Sequence, residues 1–470
     1  MQTITTDVAI IGAGTAGIAA ERKARESGAR TLLIDPAFAG TTCATVGCMP
    51  SKLLIASATA AHAARRSVRF SIRPGDVQID TFAVMRRVRD ERDRFVDSVQ
   101  ENFEQLPDGV RVKATARFIS PNELQLDNGK RVVAGAVVIA SGASPRIPGL
   151  FANLGDLLLT NETLFDLPTL PRSVGVIGAG PLGIELAQAL ARLGVETAVY
   201  DMGERIAGIG DSEINNALHA ILQEEFTIRL GVEVSVKVSD GSAVIRTSDG
   251  HRRSFERVLL AVGRKPAIDR LDVVAAGLET DEDGVPLFDT QTLQCGDTSV
   301  FIAGDANSER PVLHEAAAEG AIAGNNAASY PALKPSRRKV AMSIVFTDPN
   351  IALIGDQPEN RAEKTVSGVA RYDDQGRARV EARAAGIAKL HADATDGRLV
   401  GATMVGPDIE HLAHAMAWLI ESGTAAQDIL ELPFYHPTFE EGLKGALREI
   451  CAAVNAPRPP ERDDGFVPGL

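Results

Sequence analysis

Short apolar runs alternate with longer amphipathic stretches along the first 200 residues of the chain. Val8 to Ile11 forms one apolar run, and a glycine-rich turn and an alanine-rich stretch with helical spacing follow it. The next apolar run, Thr31 to Ile34, ends at Asp35. Short apolar runs bounded by glycine are typical of buried strands, and the longer stretches are typical of helices. The pattern predicts βαβ units and therefore an α/β fold.

The same pattern occurs a second time, 166 residues further along the chain. Val174 to Ile177 precedes another glycine-rich turn and helix, and the strand after that helix ends at Asp201. The two turns have equivalent glycines, namely Gly12, Gly14 and Gly17 in the first copy and Gly178, Gly180 and Gly183 in the second. A single turn of this kind is common, whereas two matched copies indicate two dinucleotide-binding units.

Each residue type in these turns has a physical role at a dinucleotide site. The first glycine permits a tight turn, the second lets the backbone approach a pyrophosphate, and the third lets the helix pack on the strand. The helix N-terminus offers unpaired N–H groups to the phosphates, and Asp35 and Asp201 would accept hydrogen bonds from an adenosine ribose. The alternative is two ordinary βαβ units whose glycines serve only as turns.

The composition is that of a globular protein and argues against several classes of function. The 470 residues are 44% hydrophobic and 24% charged, and the formal net charge is −13. General nucleic-acid binding and attachment to anionic membranes both need a basic surface, and no apolar run is long enough to span a bilayer. Four cysteines in so long a chain do not form a secreted disulfide framework. We therefore expect a cytoplasmic protein without nucleic-acid or membrane partners.

Cys43 and Cys48 are the most informative residues outside the glycine turns. In a regular α-helix, Cα atoms five residues apart are separated by roughly 8–9 Å, whereas a disulfide requires a separation within about 7 Å. The pair can therefore form a disulfide only if the chain between them departs from helical geometry, which Gly47 makes easier. The alternative is two buried free cysteines that lie close in sequence by chance. Their position shortly after a dinucleotide turn favours a redox pair.

Several further segments accompany the glycine turns and the cysteine pair. They are Pro50-Ser51-Lys52, Ala140-Ser141-Gly142, Gly263-Arg264-Lys265-Pro266, Ala303-Gly304-Asp305, and His436-Pro437-Thr438 with Glu441. In the order and spacing of these motifs, over residues 5–455, the chain resembles the class I pyridine nucleotide-disulfide oxidoreductases, and most closely the dihydrolipoamide dehydrogenases among them. The resemblance implies two Rossmann-like dinucleotide-binding domains and a C-terminal α+β dimerisation domain.

The resemblance also implies a division of the chain. Residues 1–150 and 265–335 would form an FAD-binding domain, residues 151–264 an NAD-binding domain, and residues 340–456 the dimerisation domain. The Pro-rich, charged residues 457–470 are expected to form a mobile tail. The hydrophobic pattern itself predicts helices at 80–105, 314–328, 408–422 and 439–454, and strands near 340–355 and 385–405.

By resemblance the cofactors are FAD and NAD, and no metal site is expected. The residues that would hold FAD are Gly12, Gly14, Gly17, Asp35, Thr42, Lys52, Ala116, Ser141, Gly142, Gly304, Asp305 and Leu313. The residues that would hold the nicotinamide dinucleotide are Gly178, Gly180, Gly183, Asp201 and Gly263, and Val234 and Arg264 complete the cofactor-binding set. The carboxylate of Asp201 would repel a 2′-phosphate, which favours NAD over NADP.

The resemblance assigns thiol chemistry to the cysteine pair. Cys43 would form the mixed disulfide with the substrate, and Cys48 would be the thiolate next to the flavin. Lys52 would lie near the flavin ring and pair with Glu185. Thiolates rather than thiols are the nucleophiles, so the site needs a base that takes a proton from the incoming dithiol.

His436 is the candidate base, and Glu441 is placed to orient its ring. The spacing alone favours another role for Glu441, because Thr438 and Glu441 match a capping box in which the glutamate returns to the backbone N–H of the threonine. The resemblance favours a catalytic His436–Glu441 pair. It also implies an obligate homodimer in which His436 completes the site of the partner subunit.

The reaction that the resemblance implies transfers electrons between dihydrolipoamide and NAD through FAD and a Cys43–Cys48 disulfide. The substrate or partner would be a lipoyl-bearing protein or a small dithiol. One alternative is an NAD(P)H-dependent reductase of another disulfide, such as a glutathione-like or metal–thiol substrate. Another is an assembly component docked on the lipoyl domains of a 2-oxo acid dehydrogenase complex. Phe434 stands where many family members carry a second histidine, which leaves lipoamide specificity open.

Overall fold

A computed structural model of the chain describes residues 2–456, and the predicted tail at 457–470 lies outside this range. The strands are β1 Thr3–Ile11, β2 Thr31–Asp35, β3 Arg111–Lys113, β4 Ala116–Ser120, β5 Glu123–Leu126, β6 Arg131–Ile139, β7 Ala143–Pro145, β8 Leu158–Leu159, β9 Ser173–Ile177, β10 Glu196–Tyr200, β11 Thr227–Arg229, β12 Val234–Ser239, β13 Ser242–Thr247, β14 Arg252–Phe255, β15 Arg257–Leu260, β16 Arg264–Pro266, β17 Val300–Ile302, β18 Met342–Val345, β19 Asn350–Gly355, β20 Thr365–Arg371, β21 Ile387–Asp393 and β22 Leu399–Gly406. The α-helices are α1 Thr15–Glu26, α2 Thr42–Thr45, α3 Cys48–Arg66, α4 Thr81–Glu104, α5 Pro181–Arg192, α6 Ser212–Leu222, α7 Leu313–Ser329, α8 Gly376–Val380, α9 Ile409–Glu421, α10 Ala426–Leu430 and α11 Leu443–Ala453. Within residues 2–456, no helix combines the length and the hydropathy needed to cross a membrane.

The first sheet has the strand order β3-β2-β1-β6-β5-β4, and β17 pairs with the end of β6. Its strands β1, β2, β3, β6 and β17 run parallel. Alternate residues of β1 enter different cores, because Val8 and Ile10 pack with residues of α1 and α7 while Ala9 and Ile11 pack on the opposite face. A parallel sheet that is covered on both faces explains why the strand is a continuous apolar run.

The second sheet repeats this topology with the order β11-β10-β9-β15-β8, and all its strands are parallel. Its first four strands correspond in order to β3-β2-β1-β6. The segment between β11 and β15 forms a small antiparallel sheet, β12-β13-β14. The short strands β7 and β16, which precede and follow the second sheet in the chain, pair with each other. The duplication that the glycine turns predict is therefore a duplication of topology.

The third sheet is antiparallel, with the order β18-β19-β22-β21-β20, and helices α9 and α11 share its core. The helix predicted at 408–422 is α9. The helix predicted at 439–454 begins later, at Leu443, because Glu440–Gly442 forms a turn of 3₁₀-helix. Strand β20 was not predicted, because its sequence is polar and small. Close packing requires glycine at position 368, since a Cβ there would lie 1.9 Å from the Ala446 carbonyl oxygen of α11.

Candidate active site

The turn between β1 and α1 has no room for side chains at two of its three glycines. A Cβ on Gly12 would lie 2.3 Å from the Ala140 carbonyl oxygen, and Gly12 has a φ of +103°. A Cβ on Gly17 would lie 1.9 Å from the Gly12 carbonyl oxygen. At Gly14, by contrast, a Cβ would meet nothing within 4 Å. Gly12 and Gly17 thus serve the fold, and Gly14 leaves space where a ligand can approach the helix N-terminus.

The turn between β9 and α5 has the same division of roles. A Cβ on Gly178 would lie 2.3 Å from the Ala261 carbonyl oxygen, and one on Gly183 would lie 2.0 Å from the Gly178 carbonyl oxygen. Gly180 again faces open space. Among residues 2–456, no side chain caps the N-terminus of α1 or of α5, so both helix ends can meet phosphates with their N–H groups.

Asp35 and Asp201 close the two turns in equivalent ways. Asp35 Oδ2 accepts a hydrogen bond from Ala13 N at 3.0 Å, and Asp201 Oδ2 accepts one from Ala179 N at 2.6 Å. Asp201 Oδ1 also accepts from Gly203 N at 2.7 Å. Each carboxylate therefore lies against the glycine turn of its own unit.

The other residues predicted to hold FAD lie at the ends of strands or the starts of helices. Ser141 and Gly142 follow β6, Gly304 and Asp305 follow β17, Thr42 and Leu313 begin α2 and α7, and Ala116 begins β4. Since β1, β6 and β17 are parallel, their carboxyl ends meet at one edge of the first sheet. Ser141 Oγ is buried and has no hydrogen-bond partner within residues 2–456. A buried hydroxyl without a partner at this edge fits a site that a polar cofactor completes.

The remaining predicted cofactor residues lie around the second sheet. Val234 begins β12, and Gly263, with a φ of +95°, follows β15. Arg264 begins β16 and faces the first sheet, with its Nε 3.6 Å from Asp305 Oδ2. The Arg264 Nε atom has no hydrogen-bond partner within the described residues. Arg264 and Asp305 thus connect the two predicted cofactor regions.

The cysteine pair lies on two helices separated by a break. Cys43 is in α2 and Cys48 begins α3, and the helical path is interrupted at Val46 and Gly47. A Cβ on Gly47 would lie 2.8 Å from the Thr42 carbonyl oxygen, so the turn needs glycine there. Both cysteines are free thiols, and they lie close enough that the pKa of each depends on the other. The departure from helical geometry that a disulfide would need is therefore present.

The two thiols differ strongly in acidity. The hydrogen bond from the Cys43 thiol to the Cys48 sulfur, helped by the nearby Lys52 ammonium, lowers the pKa of Cys48 to about 6. The same hydrogen bond, together with burial, raises the pKa of Cys43. At neutral pH the reduced pair therefore holds a thiolate at Cys48 and a thiol at Cys43, and the thiolate is the reactive form.

Lys52 lies one turn after Cys48 and forms the predicted ion pair with Glu185. Lys52 Nζ is 2.6 Å from Glu185 Oε2. Glu185 is buried in α5, and its other oxygen accepts a hydrogen bond from Phe346 N at 2.7 Å. The Lys52 ammonium also lies 4.3 Å from the centre of the Phe346 ring. The cation near Cys48 is thus fixed by contacts from two distant parts of the chain.

The His436–Glu441 pair is formed within one loop. His436 Nδ1 lies 3.0 Å from both carboxylate oxygens of Glu441. Glu441 also accepts a hydrogen bond from Thr438 N at 3.2 Å, which is half of the predicted capping box. The other half is absent, because Thr438 Oγ1 donates to the Tyr435 carbonyl oxygen and α11 begins only at Leu443. The two interpretations of Glu441 are therefore compatible, since one carboxylate makes both contacts.

Three supporting residues were not identified from the sequence. Phe346 fixes Lys52 and Glu185, Gln375 Nε2 donates to the Thr438 carbonyl oxygen at 2.6 Å, and Asn161 Nδ2 donates to the Val46 carbonyl oxygen at 2.9 Å. Each contact joins residues more than 60 positions apart. No local pattern predicts such contacts. The Thr-Asn-Glu-Thr stretch at 160–163 indicates only a turn.

Two family descriptions match the chain. Pyridine nucleotide-disulphide oxidoreductase matches residues 6–321, and the dimerisation domain of the same name matches residues 341–447. The first match includes both glycine turns and the cysteine pair, and the second includes His436 and Glu441.

Similar proteins extend over nearly the full length. A dihydrolipoyl dehydrogenase of Bacillus subtilis is 31% identical, with 96% of this chain and 100% of that protein covered. A dihydrolipoyl dehydrogenase of Haloferax volcanii is 30% identical, with 94% and 95% covered. A mercuric reductase of Lysinibacillus sphaericus is 28% identical, with 93% and 81% covered. Among solved structures, the HOCl-induced flavoprotein disulfide reductase RclA from Escherichia coli has a TM-score of 0.81 at 20% identity and covers 95% of this chain and 99% of its own, which supports the fold.

Proposed function

The chain belongs to the pyridine nucleotide-disulphide oxidoreductase family, and on that premise we propose that it oxidises a dithiol of the dihydrolipoamide class with NAD. Members of this family are flavoprotein disulfide oxidoreductases that use FAD and NAD(P). The observation that carries the proposal is the cysteine pair at the break between α2 and α3, with the Lys52–Glu185 ion pair one turn after Cys48. Two relatives of nearly full length named dihydrolipoyl dehydrogenase support the choice of substrate.

The acidities of the two cysteines assign their order of reaction. In thiol–disulfide exchange, the thiol of lower pKa is the better leaving group. A substrate thiolate that attacks the Cys43–Cys48 disulfide at Cys43 releases Cys48, which Lys52 stabilises as a thiolate. The second substrate thiol then attacks the substrate sulfur of the mixed disulfide and releases Cys43. The cysteine pair gains two electrons, and the substrate leaves as a disulfide.

His436 would accept the proton that the substrate dithiol loses in this exchange. Glu441 holds the His436 ring through Nδ1, which leaves Nε2 available for the proton. Within residues 2–456, the hydrogen bonds and ion pairs of His436 reach Glu441 and neither cysteine. We therefore propose that His436 serves the cysteine pair of a partner subunit in a homodimer. The match of residues 341–447 to a dimerisation domain supports this arrangement.

The residues of both glycine turns would hold the two dinucleotides, with Asp35 and Asp201 at the riboses. When bound, FAD supplies the two-electron carrier that connects the thiol pair with the nicotinamide. Asp201 supports NAD rather than NADP, because its carboxylate would repel a 2′-phosphate. The chain's own part is to position the dinucleotides, to hold the thiolate at Cys48 and to move protons through His436.

An anaerobic series of assays tests this proposal. The FAD-loaded protein is offered NAD or NADP with dihydrolipoamide or glutathione, and in reverse NADH or NADPH with lipoamide, glutathione disulfide or Hg²⁺. We expect the highest kcat/KM with NAD and dihydrolipoamide, loss of disulfide turnover in Cys48→Ser, and retained turnover in the control Cys295→Ser, whose side chain is buried in the core of the first sheet. A preference for NADPH with glutathione disulfide or Hg²⁺ would overturn the substrate assignment.

A lipoyl-bearing protein is the proposed physiological partner, and its role can be separated from that of a free dithiol. If the chain serves a 2-oxo acid dehydrogenase complex, an isolated lipoyl domain is oxidised with a higher kcat/KM than free dihydrolipoamide. Equal values would indicate a reductase of small dithiols instead.

A further inference from the structure

The break between α2 and α3 leaves the Val46 backbone carbonyl without a helical partner. In a continuous helix, the Val46 carbonyl oxygen would accept from the N–H of residue 50. That residue is Pro50, which has no N–H. The next carbonyl, that of Gly47, does accept from Ser51 N at 3.2 Å. The Val46 carbonyl therefore needs a partner from outside these two helices.

Asn161 supplies that partner. Its Nδ2 donates to the Val46 carbonyl oxygen at 2.9 Å across a separation of 115 residues. Asn161 is only 4% exposed, so water does not readily replace the contact. Its backbone turn is itself held, because Thr160 N donates to Thr163 Oγ1 at 3.0 Å and Glu162 N donates to Thr160 Oγ1 at 3.2 Å. A buried amide on a fixed turn thus binds a carbonyl for which the break leaves no helical partner.

We propose that Asn161 is a positioning residue for the redox pair, and that its hydrogen bond to Val46 holds the break in the shape that keeps Cys43 and Cys48 in contact. The inference rests on the proposed function, because it takes the two cysteines as one redox couple. The turn requires glycine at position 47, because a Cβ there would meet the Thr42 carbonyl oxygen. Glycine is also the residue with the most flexible backbone, so it does not hold the turn in one shape. Asn161 supplies the restraint that Gly47 lacks.

The restraint has a chemical consequence at Cys48. The Cys48 thiolate is stabilised first by the hydrogen bond from Cys43, and that bond depends on the shape of the break. If Val46 loses its partner, the break samples other shapes and the Cys43–Cys48 contact weakens. Loss of one hydrogen bond between protein groups is expected to reduce the acid dissociation constant of Cys48 by about fivefold to tenfold, which raises the midpoint of Cys48 ionisation by roughly one pH unit.

The test measures the pH dependence of Cys48 alkylation in the reduced holoprotein. Iodoacetamide reacts with thiolates, and fragmentation of the tryptic peptide 31–52, which contains both cysteines, locates the label. Cys295 and Cys451 are buried at 1% and 0% exposure, so they are protected in the folded protein. The variants are Asn161→Leu, which keeps the size and removes the donor, and Asn161→Asp, which keeps the shape and replaces the donor by an acceptor.

The matched control is Thr197→Val in β10. Thr197 is 5% exposed, and the substitution removes its hydrogen bond to the Val195 carbonyl oxygen without changing the turn of Asn161 or the cysteine segment. We expect both Asn161 variants to raise the alkylation midpoint by about one unit and Thr197→Val to leave it unchanged at a similar loss of thermal stability. If Asn161→Leu fails to fold, Asn161→Asp decides. An unchanged midpoint in a folded Asn161 variant, or an equal shift in Thr197→Val, would overturn the inference.

The proposed function has a separate check in the same peptide. In the oxidised wild-type protein, peptide 31–52 should lack two hydrogens because the two sulfurs are joined. If that peptide remains a dithiol after oxidation, the proposed function fails. If it forms the disulfide and the Asn161 variants leave the midpoint unchanged, only the role of Asn161 fails.

Discussion

Lys52 and Glu185 form an ion pair of 2.6 Å that joins the helix of the cysteine pair to the helix of the second glycine turn. Glu185 also accepts from Phe346 N, which belongs to the segment following β18 of the third sheet. Two helices and the segment after β18 therefore contribute to one partly buried contact near Cys48. Because a buried charge needs a partner, this contact fixes the relative position of the three parts as well as the charge near the thiolate.

The Lys52 cation should contribute to the acidity of Cys48, in addition to the hydrogen bond from Cys43. Lys52→Met removes the positive charge, and we expect the pKa of Cys48 to rise by about one unit. Glu185→Gln should act in the opposite direction, because the Glu185 carboxylate raises the pKa of Cys48. The pH–rate profile of Cys48 alkylation measures both shifts, and Lys52→Arg, which keeps the charge, is the control. Equal profiles for Lys52→Met and Lys52→Arg would show that the cation has no such effect.

The low pKa of Cys48 also makes the stability of the reduced protein depend on pH. A thiol has an ordinary pKa near 9.0, and the fold lowers that of Cys48 to about 6. The thiolate contribution is therefore fully present above the ordinary pKa and is lost as the pH falls through about 6. We expect the difference in unfolding free energy between wild type and Cys48→Ser, measured by urea denaturation under reducing conditions, to increase from pH 6 to pH 9. A constant difference would contradict the thiolate assignment.

His436 and Glu441 should contribute unequally to dithiol oxidation. His436→Gln removes the proposed base, and we expect kcat with dihydrolipoamide to fall by about 10²–10⁴-fold. Glu441→Gln keeps an oxygen that can accept from the ring and from Thr438 N but removes the charge that stabilises the protonated ring, so we expect a loss of roughly tenfold. The exposed neighbour Glu440 offers a control, Glu440→Gln, with unchanged kcat. If His436→Gln retained full activity while Cys48→Ser did not, another group would be the base.

Asp35 and Asp201 make equivalent contacts in the two units, so the same substitution at each position tests which unit binds FAD and which binds NAD. Asp201→Asn keeps an acceptor for Ala179 N but removes the charge, and we expect the ratio of kcat/KM for NADP to that for NAD to increase about tenfold or more. Asp35→Asn makes the same change in the first unit. We expect it to weaken retention of FAD, measured by dialysis and flavin absorbance, and to leave the nicotinamide preference unchanged. The reverse result would mean that the two units are assigned the wrong way round.

Local patterns predicted the elements whose form depends on nearby residues. Helix α4, for example, runs from Thr81 to Glu104 where the pattern predicts a helix at 80–105, and the Asp80 carboxylate caps it by accepting from Ala83 N at 2.9 Å. Strand β20 was not predicted because it contains Gly368, which interrupts the apolar pattern. Glycine is required there by close packing against Ala446 of α11, 78 residues further along the chain. The start of α11 was misplaced because Glu441 binds His436 and Thr438 instead of completing a helix cap.

The sequence by itself determined the two glycine turns with their aspartates and the need for a break between Cys43 and Cys48. These features follow from short-range geometry, since a turn without space for a Cβ or a helix that must bend is encoded within a few residues. Only the tertiary structure decided which distant groups complete the site. The Lys52 cation that favours the Cys48 thiolate is held by Glu185, and the Val46 carbonyl is bound by Asn161. These contacts join residues more than 100 positions apart, and electrostatic and hydrogen-bond energies depend on distance in space rather than in sequence.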